Sequence, residues 1–242
     1  MELDDALKHK VTAYKPSPRV VDLLNSTPVV LLVAISGGGK DTIKRRLLGT
    51  GRYHHIISFT TRPPRAENGV MEQDGIDYHF IDLAAANRKL DEGSYIEADI
   101  YAGNVYGTGA EDIEAARAGQ KIAITDMTIE GALHYLQLAP SVKAVFLLPP
   151  NFEIWMQRLG SRYEGQLKPE EKRLRLQEAV DEIQQAVAAD NMYIVVNDDL
   201  QETIELVDQI AQNEAVPPHY HKALAVAQHL QERLEDELKQ PA

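Results

Sequence analysis

From Val29 to Ile35 every position is apolar and most are β-branched (VVLLVAI), with no polar alternation, which is how a strand covered on both faces reads. Three glycines follow, and DTIKRRLLGT then switches to helical spacing and closes at Gly49 and Gly51. Further along, the pattern predicts a strand at His55 to Phe59, a polar, proline-punctuated segment, a helix over Asp82 to Glu92, and short strands and turns in SYIEADIYAGNVYGT. A helix from Ala110 to Ala118 ends near Gly119 and leads to KIAITDM, a buried strand with an acid at its end. AVFLLPP is a third buried strand, before a helix starting near Asn151. Residues 168 to 188 read as a long charged helix, YIVVNDD as a strand, and Leu200 to Gln212 as a helix. Strands separated by helices predict an α/β fold around a parallel sheet.

The ends read differently. Residues 1–27, with Pro16 and Pro18, suggest a short helix and a connection. AVPPHY at 215–220 reads as a linker, and beyond it Ala223, Ala227, Leu230, Leu234 and Leu238 fall on one face of a helix that would dock on the body or on a second subunit. No internal repeat or low-complexity tract is visible.

Composition narrows the function classes. At 242 residues, 44% hydrophobic and 26% charged, the chain is long enough for a substantial apolar interior. A formal charge of −12 argues against nonspecific binding to nucleic acid or to an anionic membrane. The absence of cysteine excludes disulfides, thiolate metal sites and a thiol nucleophile, in keeping with a reducing compartment. MELDDALKHK lacks the layout of a signal peptide, and the longest apolar run, Pro28 to Ile35, falls far short of the roughly 20 residues a bilayer requires. The expectation is a cytoplasmic protein, monomer or homodimer, without nucleic-acid or membrane partners.

The chemistry begins at the strand, glycine loop and helix. Gly37, Gly38 and Gly39 let consecutive amides turn around an anion, Lys40 adds a point charge, and the helix behind it aims its positive end the same way. The stretch departs from G-x-x-x-x-G-K-[ST] at both ends, with Ala34 at the first glycine and Asp41 at the metal-binding hydroxyl. Alanine is a small loss if its φ stays negative. A carboxylate about 4 Å from a phosphate oxygen repels it by roughly 4 kcal/mol at an effective dielectric near 20, but an intervening magnesium ion turns that geometry attractive. Asp41 is therefore expected to make binding more dependent on Mg2+, with Thr42 one residue late as a hydroxyl and Asp126, at the end of its strand, placed for metal-bound water.

A second anion site is offered by SFTTRPPR, where Arg62 and Arg65 flank a proline-stiffened turn. SFTTRPPR, DYHF, GNVYGT, RLGSR and IVVNDD, in this order after a glycine-rich loop, resemble the guanylate kinase family over roughly residues 29–212. The resemblance implies a P-loop NTPase fold: a central parallel sheet flanked by helices (28–212) that binds ATP, an inserted small lobe for GMP at 58–106, and a helical lid at 158–173, with residues 1–27 and 213–242 as extensions. It implies that Ser58, Arg62, Arg65 and Tyr78 hold the GMP phosphate, that Glu97, Tyr106 and Thr108 hold the rest, and that Arg158, Arg162 and Arg173 neutralise the transferring group beside Lys40. Ser36 to Thr42 and Asn197 would hold ATP, and Asp41 and Asp126 the Mg2+. The activity implied is transfer of the ATP γ-phosphoryl group to GMP.

Two departures bear on this. The family's second acid, two residues beyond Asp126, is here Thr128, which brings a hydroxyl and no charge to guanine recognition. AENGVMEQDGID, between Arg65 and Tyr78, is about four residues longer than the resemblance suggests, altering how the lobe covers GMP. The Lys40-Asp41 pair is similar to ribose bisphosphate phosphokinases, which lack TTRPPR, so a kinase of another phosphorylated acceptor and a weakly catalytic binding module stand as alternatives. His54, His55, His219, His221, His229, Trp155 and Tyr193 are expected to be structural.

Overall fold

A computed structural model describes residues 3–67, 69–163, 165–214 and 220–240. In chain order the helices are α1 (Asp5–Thr12), α2 (Pro18–Ser26), α3 (Lys40–Leu48), α4 (Leu83–Asp91), α5 (Glu111–Ala118), α6 (Ile129–Leu138), α7 (Phe152–Arg162), α8 (Pro169–Ala188), α9 (Leu200–Ala211) and α10 (Tyr220–Lys239). The strands are β1 (Val29–Ala34), β2 (Tyr53–His55), β3 (Ser58–Thr60), β4 (Ala66–Glu67), β5 (Val70–Met71), β6 (His79–Phe80), β7 (Tyr95–Tyr101), β8 (Asn104–Gly109), β9 (Ile122–Asp126), β10 (Lys143–Leu148) and β11 (Met192–Val196). These residues fall into two compact units. Unit 1 comprises those up to Pro28 and Tyr53–Ala123, and unit 2 comprises Val29–Arg52 and those from Ile124 onward.

Unit 2 carries the parallel sheet. Strands β11, β10, β1 and β9 lie side by side in that order, and β1 and β11 both pair parallel to β10. Val29 to Val33 are buried, as a strand sandwiched between helices must be. Helix starts follow side-chain caps: Asn151 accepts from the Ile154 amide at 2.8 Å and Asp199 from the Glu202 amide at 2.9 Å. Helix α6 is absent from the elements expected from the sequence, although Ile129, Ala132 and Leu136 stand at helical spacing and are buried; the Thr128 hydroxyl caps it by accepting from the Gly131 amide at 3.2 Å. Helix α10 packs on α8 and β11 with Ala223, Ala227, Leu230 and Leu234 buried, so the closing helix docks on the body of its own chain. His219 and most of the expected linker lie outside the described residues, as does the side chain of His221.

Unit 1 is built on a sheet of order β6-β3-β8-β7, in which β8 runs antiparallel to both neighbours. The strand expected at His55 to Phe59 is two strands, β2 and β3, broken at Ile56 and Ile57. Residues 3–27 carry two helices, and Leu3, Leu7 and Val11 join Phe59, Leu90 and Tyr95 in one core, so this stretch packs as part of unit 1. No helix among the described residues is long and apolar enough to cross a membrane.

Candidate active site

In unit 2 the loop after β1 takes the strained shape its glycines allow. Gly39 has φ +98°, and a Cβ there would lie 2.3 Å from the Asn197 amide nitrogen. A Cβ on Gly38 would lie 2.7 Å from the Ala34 methyl and 3.0 Å from two carbonyl oxygens. Ala34 itself is not among the residues with positive φ, so alanine is tolerated there, and its methyl leaves room at position 38 for glycine alone. Two buried side chains brace the loop: Asn197 donates to the Gly38 carbonyl at 2.9 Å and the Trp155 indole to the Ser36 carbonyl at 2.8 Å. Asn197 is thus a support for the loop, and Trp155, expected only to pack, is tied directly to it.

Lys40 and Lys44, one turn apart on α3, both donate to Asp126, one to each carboxylate oxygen. Burial alone would raise the Asp126 pKa, but these two ammonium groups outweigh it and hold the carboxyl below its usual value. Asp41 is largely exposed, its carboxylate 3.5 Å from the Lys40 ammonium. Among the described residues no three His, Asp or Glu side chains group into a metal cage.

A cavity of about 360 Å³ opens beside the loop, with Ser36, Lys40, Asp126, Arg162 and Arg175 in its wall. From α8 the wall takes Arg175, Glu178, Ala179 and Glu182, positions i, i+3, i+4 and i+7 on one helix face. Arg173, expected among the lid arginines, is exposed and not in this wall, because two residues along a helix turn it by about 200° from Arg175. Arg175 holds its place through the Tyr163 hydroxyl at 2.8 Å and Glu178 at 2.7 Å. Arg158, on α7 beside Gly37, has a buried Nη1 with no hydrogen-bond partner among the described residues, an arrangement suited to an incoming anion. Glu182 is the opposite case: burial, and then the neighbouring Glu178 and Glu130, push its pKa up to about 7, and its buried Oε2 also lacks a partner. A larger cavity, about 700 Å³, lies among β11, α9 and α10, and its charged lining is mostly acidic, unsuited to phosphate.

In unit 1, strand register brings the second set of residues together. Ser58 and Glu97 both pair with Thr108, and the Thr108 hydroxyl donates to the Glu97 carboxylate at 3.2 Å. Two residues along β8, the Tyr106 hydroxyl accepts from Arg62 Nε at 3.2 Å. Tyr78 meets Tyr106 edge-on at 6.0 Å, and the Arg62 guanidinium lies 5.3 Å from the Tyr78 ring centre.

The sequence reading missed Glu72. It lies in the lengthened segment after Arg65 and holds Arg62, only 6% exposed, through both guanidinium ends at 2.7 and 2.8 Å, while accepting from the Arg65 amide at 2.7 Å. The Arg62 hydrogen bonds lower its pKa to about 2, and Glu72 in turn raises that of Arg62. The Arg65 side chain is exposed. A lone glutamate in a polar turn carries no pattern, so only the folded turn reveals this pair. Thr128 is exposed in the wall of the unit 2 cavity, its hydroxyl engaged in capping α6.

The guanylate kinase family model matches residues 25–214, stopping short of α10. The chain is 34% identical to a guanylate kinase of Thermus thermophilus over 174 residues, 72% of this chain and 76% of that protein. It is 36% identical to one from Neisseria meningitidis serogroup B, over 71% of this chain and 80% of that protein. Among solved structures, guanylate kinase from Anaplasma phagocytophilum superposes with a TM-score of 0.54 at 23% identity, over 85% of this chain and 97% of that one, a likeness of fold.

Proposed function

The chain belongs to the guanylate kinase family, and from that premise we propose that it transfers the γ-phosphoryl group of ATP to GMP, giving ADP and GDP, with the site residues in the following roles. The observation that carries the assignment of GMP to unit 1 is the line Ser58, Thr108, Glu97 that strand register sets on the same sheet as Tyr106, whose hydroxyl engages Arg62. Guanine presents two adjacent N–H donors that one carboxylate accepts together, whereas adenine presents a ring acceptor to the same oxygen. Glu97 left facing adenine costs on the order of 1–3 kcal/mol, which is roughly 5- to 150-fold discrimination. The Thr128 hydroxyl, which accepts from Gly131 and keeps its own O–H, brings no charge, so the charged part of the preference for guanine rests on Glu97. Arg62, aligned by Glu72, Tyr78 and Tyr106, meets the GMP phosphate.

ATP belongs to the loop of unit 2, its phosphates on the amides of Gly37 to Gly39 and on Lys40. Asp41, exposed at the loop, fits a magnesium ion that shares the nucleotide's own oxygens, since magnesium takes one or two carboxylates plus substrate phosphates and needs no cage. When bound, that ion supplies charge neutralisation between the β- and γ-phosphates. A GMP phosphate oxygen attacks the γ-phosphorus in line, the bond to the bridging oxygen breaks, and ADP leaves with that oxygen. Arg158, with its unpartnered Nη1, and Arg162 and Arg175 in the cavity wall neutralise the charge on the equatorial oxygens. A lid over residues 158–173 would, on closing, keep water from taking the acceptor's place.

The test is coupled ADP release with ATP and magnesium across a panel of nucleoside monophosphates and ribose bisphosphate. GMP is the expected acceptor, and Lys40→Ala and Arg62→Ala each lower kcat/KM on the order of 10²–10³-fold while the fold survives. Turnover retained in both variants, or a different preferred acceptor, refutes the assignment.

A further inference from the structure

Lys44 belongs to none of the roles above, yet it shares Asp126 with Lys40. Lys40 and Lys44 are four residues apart, so both ammonium groups leave one face of α3 a turn apart, and each takes a different oxygen of the same carboxylate. All three side chains are mostly buried, at 28%, 19% and 16% exposed for Lys40, Lys44 and Asp126. Asp126 thus has two cationic partners before any ligand arrives, while Asp41 stands as a second anion 3.5 Å from Lys40.

Two consequences follow from that charge count. When phosphate draws the Lys40 ammonium away, Asp126 would be a largely buried carboxylate without a counter-ion, a costly state that holds Lys40 back. Lys44 removes that cost by staying on Oδ1. A divalent ion approaching Asp126 meets an ammonium already seated on the carboxylate, and the repulsion between the two cations opposes its binding there. Asp41 also pairs with Lys40, at 3.5 Å, but its carboxylate is 68% exposed, so water screens that cation and an approaching divalent ion meets less repulsion there.

We propose that Lys44 is a positioning residue, a resident counter-cation for Asp126 that releases Lys40 to the phosphates and keeps the divalent ion off Asp126, leaving it to Asp41 and the nucleotide. It is an alternative to the sequence expectation that Asp126 serves the metal. It rests on the loop being the site of the adenine nucleotide, and not on GMP being the acceptor.

The experiment measures Mn2+ binding to the full-length protein with saturating ADP, by electron paramagnetic resonance, so that no turnover is needed. Lys44→Met frees a carboxylate oxygen and tightens Mn2+ binding about tenfold, equivalent to about 1.4 kcal/mol. Lys44→Arg keeps the wild-type affinity, and adding Asp126→Asn to Lys44→Met abolishes the gain. In parallel, Lys44→Met raises the KM for ATP more than it lowers kcat, because Lys40 is held by the Asp126 carboxylate that has lost its second cation. Asp126→Asn alone leaves Mn2+ affinity within about threefold of wild type, a measurement that stands even if Lys44→Met fails to fold. Unchanged or weaker Mn2+ binding in folded Lys44→Met, or a tenfold loss in Asp126→Asn, overturns the proposal. Should wild-type protein form no ADP with GMP, the phosphotransferase reading falls while the Mn2+ comparison still decides the role of Lys44.

Discussion

Replacing Trp155 by Phe separates packing from loop support. Trp155 is fully buried on α7, and its indole N–H donates to the Ser36 carbonyl at 2.8 Å, the one hydrogen bond by which this helix residue braces the phosphate loop. Phenylalanine keeps a ring in place but removes two buried carbons, at about 0.8 kcal/mol each. It also strands the Ser36 carbonyl, which costs about 1–3 kcal/mol when water cannot reach it. The expected loss is about 3 kcal/mol, which for a chain of this size lowers Tm by about 6–12 °C. Urea and thermal unfolding followed by far-UV circular dichroism measure it, since the substitution removes the chain's one tryptophan. Because the strain falls on Ser36, KM for ATP rises about tenfold while KM for GMP, whose proposed contacts lie in unit 1, stays the same. A Tm within about 1 °C of wild type would refute the stability reasoning. Equal rises in both KM values would refute the link from Trp155 to the loop.

Two further outcomes test other parts of the molecule. The native pKa of Glu182, about 7 against an ordinary 4.5, means the folded chain holds a proton that the unfolded chain has released between those values, so stability falls as pH rises through that window. Glu182→Gln should flatten this limb, read as urea midpoints at pH 5 and pH 8, and an unchanged slope rejects the assignment. Leu234, fully buried in α10, should cost about 2–5 kcal/mol when cut to Ala, with neither KM altered because the helix touches no proposed ligand. Changed kinetics at unchanged stability would show that α10 acts on the site.

The order of strand, glycine loop and helix and the parallel sheet were legible along the chain, and the glycine run and arginine-proline turn marked out candidate anion-binding residues, because apolar periodicity, glycine runs and such turns are local signals that neighbouring residues enforce. Helix α6 escaped although Ile129, Ala132 and Leu136 keep a helical period on its buried face and Thr128 caps it. The tertiary structure alone decided which groups meet. It placed Arg175 in the cavity wall and turned Arg173 to solvent, fastened Glu72 to Arg62, raised the pKa of Glu182 by burial, and gave one oxygen of Asp126 to Lys44. These depend on distances between residues far apart in sequence, up to 82 positions for Lys44 and Asp126, and on the loss of water around them. Residue type fixes what a side chain can do; the partner it meets, and the dielectric in which they meet, are set only when the chain closes on itself.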